Sequence, residues 1–145
     1  MKKVIISYLV GGFILVFTVA FSQGNSDCDF DNFMDGCIAA NTGGHRLLKM
    51  NKISVPGGED TFVELSIIMS GKTTYLLTAC TEGPKMTVTL YDQKRKQIIS
   101  SYNERKEKYY PSVEYKCKAA GRYYLKYEFE QGSAGCGIGI VGFKR

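Results

Sequence analysis

The sequence predicts an all-β fold: an antiparallel β-sandwich with one short N-terminal helix. Three observations carry this. Apolar and polar residues alternate over residues 61–69, 85–92 and 122–130, the period of a half-buried strand. Turn signals such as Pro56-Gly57-Gly58, Ser70-Gly71-Lys72, Glu82-Gly83-Pro84 and Ala120-Gly121 recur about every 8–12 residues, the spacing of a sandwich. From His45 onward the patterned segments read as strands.

The first element is not part of the fold. Lys2 and Lys3 precede an 18-residue apolar run, Val4 to Phe21, interrupted by Ser7, Gly11, Gly12 and Thr18. The small residues Ala20 and Ser22 close it, which is the grammar of a secretory signal peptide over residues 1–22. A retained membrane anchor is the alternative, but the run is at the lower limit for spanning a bilayer. Cys28 lies six residues past Ser22, so an acylated lipoprotein terminus is not expected. Phe21-Ser22-Gln23 resembles the signal-peptide ends of Bacteroidota envelope proteins.

Residues 23–44 form the second unit. Phe30, Phe33, Met34 and Cys37 fall at i, i+3, i+4 and i+7, one face of a helix over residues 28–41. Asp27 or Asp29 would cap it, and Asn41-Thr42-Gly43-Gly44 would end it. It is expected to pack over one end or edge of the sandwich. Residues 45–145 form the sandwich domain. A mixed strand covers 45–55. In 61–69, Val63, Leu65, Ile67 and Met69 share a face. In 73–81, Tyr75, Leu77 and Ala79 do. In 85–92, Met86, Val88 and Leu90 point inward, with Thr87, Thr89 and Tyr91 outward. A short strand follows at 97–102, then a charged loop at 103–108. The strand 109–119 sets Val113, Tyr115 and Cys117 on one side. The strand 122–130 sets Tyr123, Leu125, Tyr127 and Phe129 against Tyr124, Lys126, Glu128 and Glu130. Residues 136–143 close the chain.

Trimming residues 1–22 from the 145 leaves 123, enough for one domain with a real core. Losing Lys2 and Lys3 takes the formal charge from +5 to +3. That balance argues against nucleic acid as a partner. The basic runs Lys94-Arg95-Lys96 and Arg105-Lys106 sit in polar turns and read as solvated loops. All five cysteines lie past residue 22, and export permits disulfides. Five is odd, so one thiol is free or pairs between chains. On one unbroken helix Cys28 and Cys37 would stand ~13 Å apart, too far to join each other. Cys80 and Cys117, both late in strands, are the preferred pair.

Part of the chain carries a resemblance. The segments YLLTACTEGPKMTVTLYDQKRKQIISS, VEYKCKAAGRYYLKYEF and GCGIGIVGF, within residues 75–143, resemble the bacterial pre-peptidase C-terminal β-sandwich family. The matching motifs are Leu90-Tyr91-Asp92 before a turn and Gly121-Arg122-Tyr123-Tyr124 in a hairpin. The resemblance covers about half of the mature chain and implies a jelly-roll-like, noncatalytic accessory module. The family's usual glycine after Asp92 is replaced by Gln93-Lys94-Arg95, and no peptidase domain accompanies this chain.

Motifs with chemical meaning are few. Gly137-x-Gly139-x-x-Gly142 copies a dinucleotide fingerprint, but no helix can follow it. It reads instead as a strand whose missing side chains admit a neighbouring layer. Asp27-x-Asp29-x-Asp31 opens like an EF-hand, yet its twelfth position is Ile38, so bidentate closure is missing. A looser calcium contact through Asp27, Asp29, Asp31 or Asp35 is the alternative. No cofactor is expected. His45, the single histidine, follows Gly43-Gly44 and reads as a surface loop residue.

The ten tyrosines, nine of them past residue 22, are the most distinctive compositional feature after the signal segment. A rigid ring with a polar tip suits protein or sugar contact. The candidate binding residues are Tyr102, Tyr109, Tyr110 and Tyr124 with Lys94 and Arg95. The reading is a noncatalytic exported module, located in the periplasm, at the outer membrane or outside the cell. Its partner is an envelope or extracellular protein, and it meets a membrane only through that partner. A carbohydrate-binding module using exposed tyrosines is the first alternative. A small cysteine-dependent enzyme pairing a thiol with His45 is the second.

Overall fold

The computed structural model describes residues 28–40 and 43–145; the expected signal segment 1–22, Asp27 and the helix stop at Asn41-Thr42 lie outside the described residues. Among the described residues one α-helix, α1 (Phe30–Ala40), precedes ten strands. These are β1 (Arg46–Val55), β2 (Val63–Met69), β3 (Thr74–Thr81), β4 (Met86–Tyr91), β5 (Gln97–Ser100), β6 (Tyr102–Asn103), β7 (Lys108–Tyr109), β8 (Ser112–Lys116), β9 (Gly121–Phe129) and β10 (Gly135–Lys144). Two four-stranded antiparallel sheets face each other, in the orders β1-β10-β3-β8 and β2-β9-β4-β5. β6 and β7 form a separate small ribbon.

The pairing has a simple rule. β1 pairs with β10, β2 with β9, β3 with β8 and β4 with β5. The chain is thus one long hairpin, with its tip between β4 and β5, rolled into two layers. That is the jelly-roll arrangement.

The inner faces follow the alternation read from sequence. Ile53, Val55, Tyr75, Leu77, Ala79 and Val141 of the first sheet meet Met86, Val88, Leu90, Leu125, Tyr127 and Phe129 of the second. Each large aliphatic side chain buried here contributes about 1.5–3 kcal/mol. β10 takes part through absence. A Cβ on Gly139 would lie 2.6 Å from Tyr127 Oη, and one on Gly137 would lie 2.6 Å from Met86 Cε. The glycine strand lets the second sheet's large side chains reach the backbone. The Tyr127 hydroxyl is buried there with no hydrogen-bond partner among the described residues. Tyr127→Phe is therefore expected to raise stability by about 1 kcal/mol, since it removes an unsatisfied buried group. Urea denaturation checks this, and a loss of stability would contradict it.

Two expected strands are shorter than read. The 109–119 segment divides at Pro111, which has no N–H to donate. Before it, β7 turns to β6; after it, β8 joins β3, and Pro111 O accepts from Ala79 N at 2.9 Å. The 97–102 segment breaks at Ser101, whose N–H donates to Val88 O at 2.9 Å and whose Oγ accepts from Val88 N at 2.9 Å. Within the expected charged loop, Asn103 Oδ1 caps a 3₁₀ turn at Glu104–Lys106 by accepting from Lys106 N.

The helix does not sit over an end or edge. It lies on the outer face of the first sheet, where Phe33 and Cys37 pack against Ile138 and Ile140, with Phe30, Met34 and Met50 at the fringe. The reason is the composition of β10: its inward positions are glycines, Val141 and Phe143, while Ile138 and Ile140 face out and need a cover. Two disulfides fasten this cover, Cys37–Cys80 and Cys28–Cys136, with Cα separations of 5.9 and 5.6 Å.

The preferred pair Cys80–Cys117 is therefore incorrect, and the register explains why. Cys117 N donates to Thr73 O, so Cys117 lies opposite Thr73. Cys80 is seven residues further along that strand, about 23 Å away at the rise of a β-strand. Cys80 also stands beside Ile138 on the outward side, while Cys117 joins the core. Cys117 is free and buried. A thiol reagent is expected to find no reactive group in the native protein and one per chain in denaturant without reductant. Two or more under denaturant would refute this pairing scheme.

Candidate functional site

The two sheets present unlike outer faces. The first is covered by α1. The second carries no helix among the described residues, and its side chains stand in rows set by strand register. Ser66, Tyr124 and Tyr91 form one row; Glu64, Lys126, Thr89 and Ser100 form the next; Glu128 and Thr87 follow. Neighbouring groups connect the rows. Lys126 Nζ lies 2.8 Å from Glu128 and 4.6 Å from the Phe62 ring centroid. The hydrogen bond that Lys126 donates to Glu128 raises the Lys126 pKa.

At the hairpin tip, Asp92 Oδ1 accepts from Lys94 N and Lys96 N at 2.8 and 2.9 Å. Arg95 takes the left-handed φ of 63°, the conformation a glycine would supply without strain. The turn sends Arg95 back over the sheet. Its guanidinium lies 3.6 Å from the Tyr124 ring centroid and pairs with Glu64. Arg95 and Tyr124 are thus engaged with each other, and Lys94 stands exposed at the tip.

The β6–β7 ribbon rises beside the other end of this face. Tyr102 and Tyr109 stack with ring centroids 4.5 Å apart. Between the ribbon and the sheet runs a polar groove of about 770 Å³, lined by Thr87, Gln97, Tyr102, Arg105, Tyr109 and Glu128 among others. On the far side of Tyr109 a smaller apolar crevice of about 370 Å³ opens against Met86, Tyr110 and Pro111. Lys85 Nζ sits 5.4 Å from the Tyr109 centroid, and Lys108 Nζ sits 5.1 Å from that of Tyr110.

The six residues singled out in the sequence therefore divide. Tyr102, Tyr109 and Tyr110 share the ribbon; Tyr124 and Arg95 form a second group with Lys94 at the hairpin tip. Lys126 and Glu128 were legible as outward residues of an alternating strand, but nothing local marked them as groove floor. Lys85, Met86 and Pro111 carried no signal, because only the β3–β8 pairing brings Pro111 against Ala79.

Partial burial, then the nearby Glu130 charge, push the Tyr109 phenol up. Burial raises Tyr127, and burial with hydrogen bonding to Cys117 and Tyr115 raises Tyr123. The folded chain holds these protons more tightly than the unfolded chain does. Their contribution to stability is full below the ordinary phenol value of 10.0 and is lost as pH rises past it toward the folded values. Ultraviolet titration is expected to find these tyrosines ionising late, together with alkaline unfolding. Ionisation of all nine tyrosines of residues 23–145 as one ordinary group would contradict this.

His45 is not a surface loop residue. It is buried, with Nε2 3.1 Å from Glu114 Oε1, the oxygen that Lys144 Nζ approaches at 2.6 Å. Gly142 makes the room, since a Cβ there would lie 2.9 Å from His45 Cβ. Lys144, and to a lesser extent His45, holds the Glu114 carboxyl below its usual range. Glu114 lies on the opposite side of β8 from Val113 and Tyr115, while the free thiol of Cys117 joins the core. His45 and Cys117 are thus held on different faces of the first sheet. Among the described residues no three His, Cys, Asp or Glu side chains gather as metal ligands.

No protein-family model matches the chain, and no curated protein does. Solved structures do. A pre-peptidase C-terminal domain of a collagenase from Bacillus anthracis superposes with a TM-score of 0.52 at 17% identity, over 66% of this chain and 89% of that one. PliG from Aeromonas hydrophila, a periplasmic inhibitor of g-type lysozyme, superposes with a TM-score of 0.52 at 9% identity, over 70% of this chain and 89% of that one. At these identities the likeness is one of fold. The pre-peptidase C-terminal resemblance in residues 75–143 holds at that level.

Proposed function

We propose that this chain is an exported, noncatalytic module that binds another envelope or extracellular protein through the open face of its second sheet. The observation that carries this is the difference between the two outer faces. One is closed by a helix held with two disulfides. The other has no cover among the described residues, and offers paired tyrosines, cations and hydrogen-bonding side chains in one concave surface. Aromatic rings with polar tips are favoured where proteins meet. Two disulfides favour an oxidising compartment, in keeping with a signal peptide over residues 1–22 and a mature chain of a 23–44 helical segment and a 45–145 sandwich. PliG offers a precedent of similar fold for a periplasmic protein that acts on another protein.

The test is capture from envelope extract by residues 23–145. One protein recovered in stoichiometric amount, and lost when Tyr102→Ala and Tyr109→Ala are combined, is the expected result. Recovery unchanged in that variant would refute the face; no stoichiometric partner at all would refute the function. A second reading is carbohydrate binding, favoured by the polar groove with its tyrosine wall. Glycan-array binding abolished by the same pair of substitutions would select it.

A further inference from the structure

We infer that the crevice beside Tyr109 and Tyr110 receives an apolar side chain from an acidic segment of the partner protein, an inference that rests on the protein-binding reading above. The crevice is distinct from the polar groove, though Tyr109 borders both. Ala79, Met86, Pro111 and Cys80 give it an apolar lining, and Tyr109 and Tyr110 stand beside them. Its volume of about 370 Å³ is near the low end of ligand pockets, about 300–1,000 Å³, and suits one large side chain with its neighbours.

The walls are held in place before any partner arrives. Ala79 N donates to Pro111 O at 2.9 Å, and Tyr110 N donates to Ser101 O at 2.8 Å. Tyr109 is stacked on Tyr102, and Cys80 is tied to Cys37. Little ordering is left to be done on binding, which favours a site of this size.

The charge around the crevice selects the occupant. Lys85 is the one charged residue among its described lining, and no carboxylate lines it. Lys85 and Lys108 each place an ammonium over a tyrosine ring beside it. The nearby Glu130, whose Oε1 accepts from Lys85 N at 3.0 Å, keeps its charge but does not line the crevice. An apolar residue flanked by Asp or Glu satisfies both demands: the ring or aliphatic chain fills the crevice, and the carboxylates meet the two ammonium groups. A basic flank would meet like charge.

The test uses three synthetic peptides: one Phe flanked by Asp residues, the same Phe flanked by Lys, and the Asp peptide with Ser in place of Phe. Amide NMR shifts of the folded protein, residues 23–145, report the site. The Asp–Phe peptide is expected to shift residues 79–86 and 109–111, and the other two to leave them unmoved. Combining Lys85→Glu with Lys108→Glu is expected to weaken that binding at least tenfold. Tyr110→Ala is expected to abolish it. Equal binding of the Lys-flanked peptide, or shifts confined to the groove, would overturn the inference. So would a dimer in sedimentation that is lost in Tyr110→Ala, because the occupant would then be a second copy of this chain. If a partner captured from extract still binds the Lys85→Glu, Lys108→Glu protein unchanged, the crevice is refuted while the protein-binding reading stands. If the wild-type chain captures nothing, that reading falls by itself.

Discussion

Replacing Cys28 and Cys136 by serine is expected to lower the unfolding free energy by about 4–5 kcal/mol. The bridge closes a separation of 108 residues, and a loop of about 100 residues corresponds to about 4.7 kcal/mol of lost chain entropy in the unfolded state. Replacing Cys37 and Cys80, a separation of 43, is expected to cost about 4 kcal/mol. Both are large against the 5–15 kcal/mol that is roughly the whole stability of a domain. The two changes also act locally. With both bridges removed, α1 is held by Phe33 and its apolar neighbours against Ile138 and Ile140, and by Lys52 beside Phe30 and Asp31. Hydrogen exchange should then quicken in residues 30–40 while the strands keep their protection. Urea denaturation of oxidised variants gives the first result, and a loss below about 1 kcal/mol for either pair would contradict the loop-closure account.

Gly139→Ala is expected to cost about 3 kcal/mol, the upper part of the range for overfilling a packed core. The added Cβ would meet the ring of Tyr127, which is fully buried and has no free volume to move into. Part of the conflict is with the hydroxyl. Tyr127→Phe should therefore recover some of the loss, and the double variant should be more stable than the sum of the single changes predicts. A Gly139→Ala protein as stable as the parent would show that the sheets are not in close contact at this point.

The sandwich was legible because most strands have one buried face. Where one face meets the core and the other meets solvent, as in β2 and β9, alternation names both directions. The helix face at Phe30, Phe33, Met34 and Cys37 was legible for the same reason at a different period. What escaped depends on which strand lies beside which. The cysteine pairing follows from register, and register between β3, β8 and β10 is a long-range property that local pattern does not carry. The cover over Ile138 and Ile140 escaped because alternation puts them on one face with Cys136 but does not say which element packs on that face. The candidate site was legible in kind only. Tyrosine enrichment pointed to the β6–β7 ribbon, but the crevice exists because Pro111 and Ala79, far apart in sequence, are hydrogen-bonded neighbours.

The rolled-hairpin topology sets when this protein can fold. Only β4 with β5, and the small β6–β7 ribbon, find each other within a few residues; β3, β2 and β1 await β8, β9 and β10 in turn. In the proposed exported role, a chain delivered from its N-terminus through a translocation pore would have almost nothing to pair with until its last third emerged. It would stay threadable during transit and zip from the tip outward afterwards, at the slow pace of high contact order. The Cys28–Cys136 bond, which joins the earliest described residue to the final strand, forms only when that closure is complete.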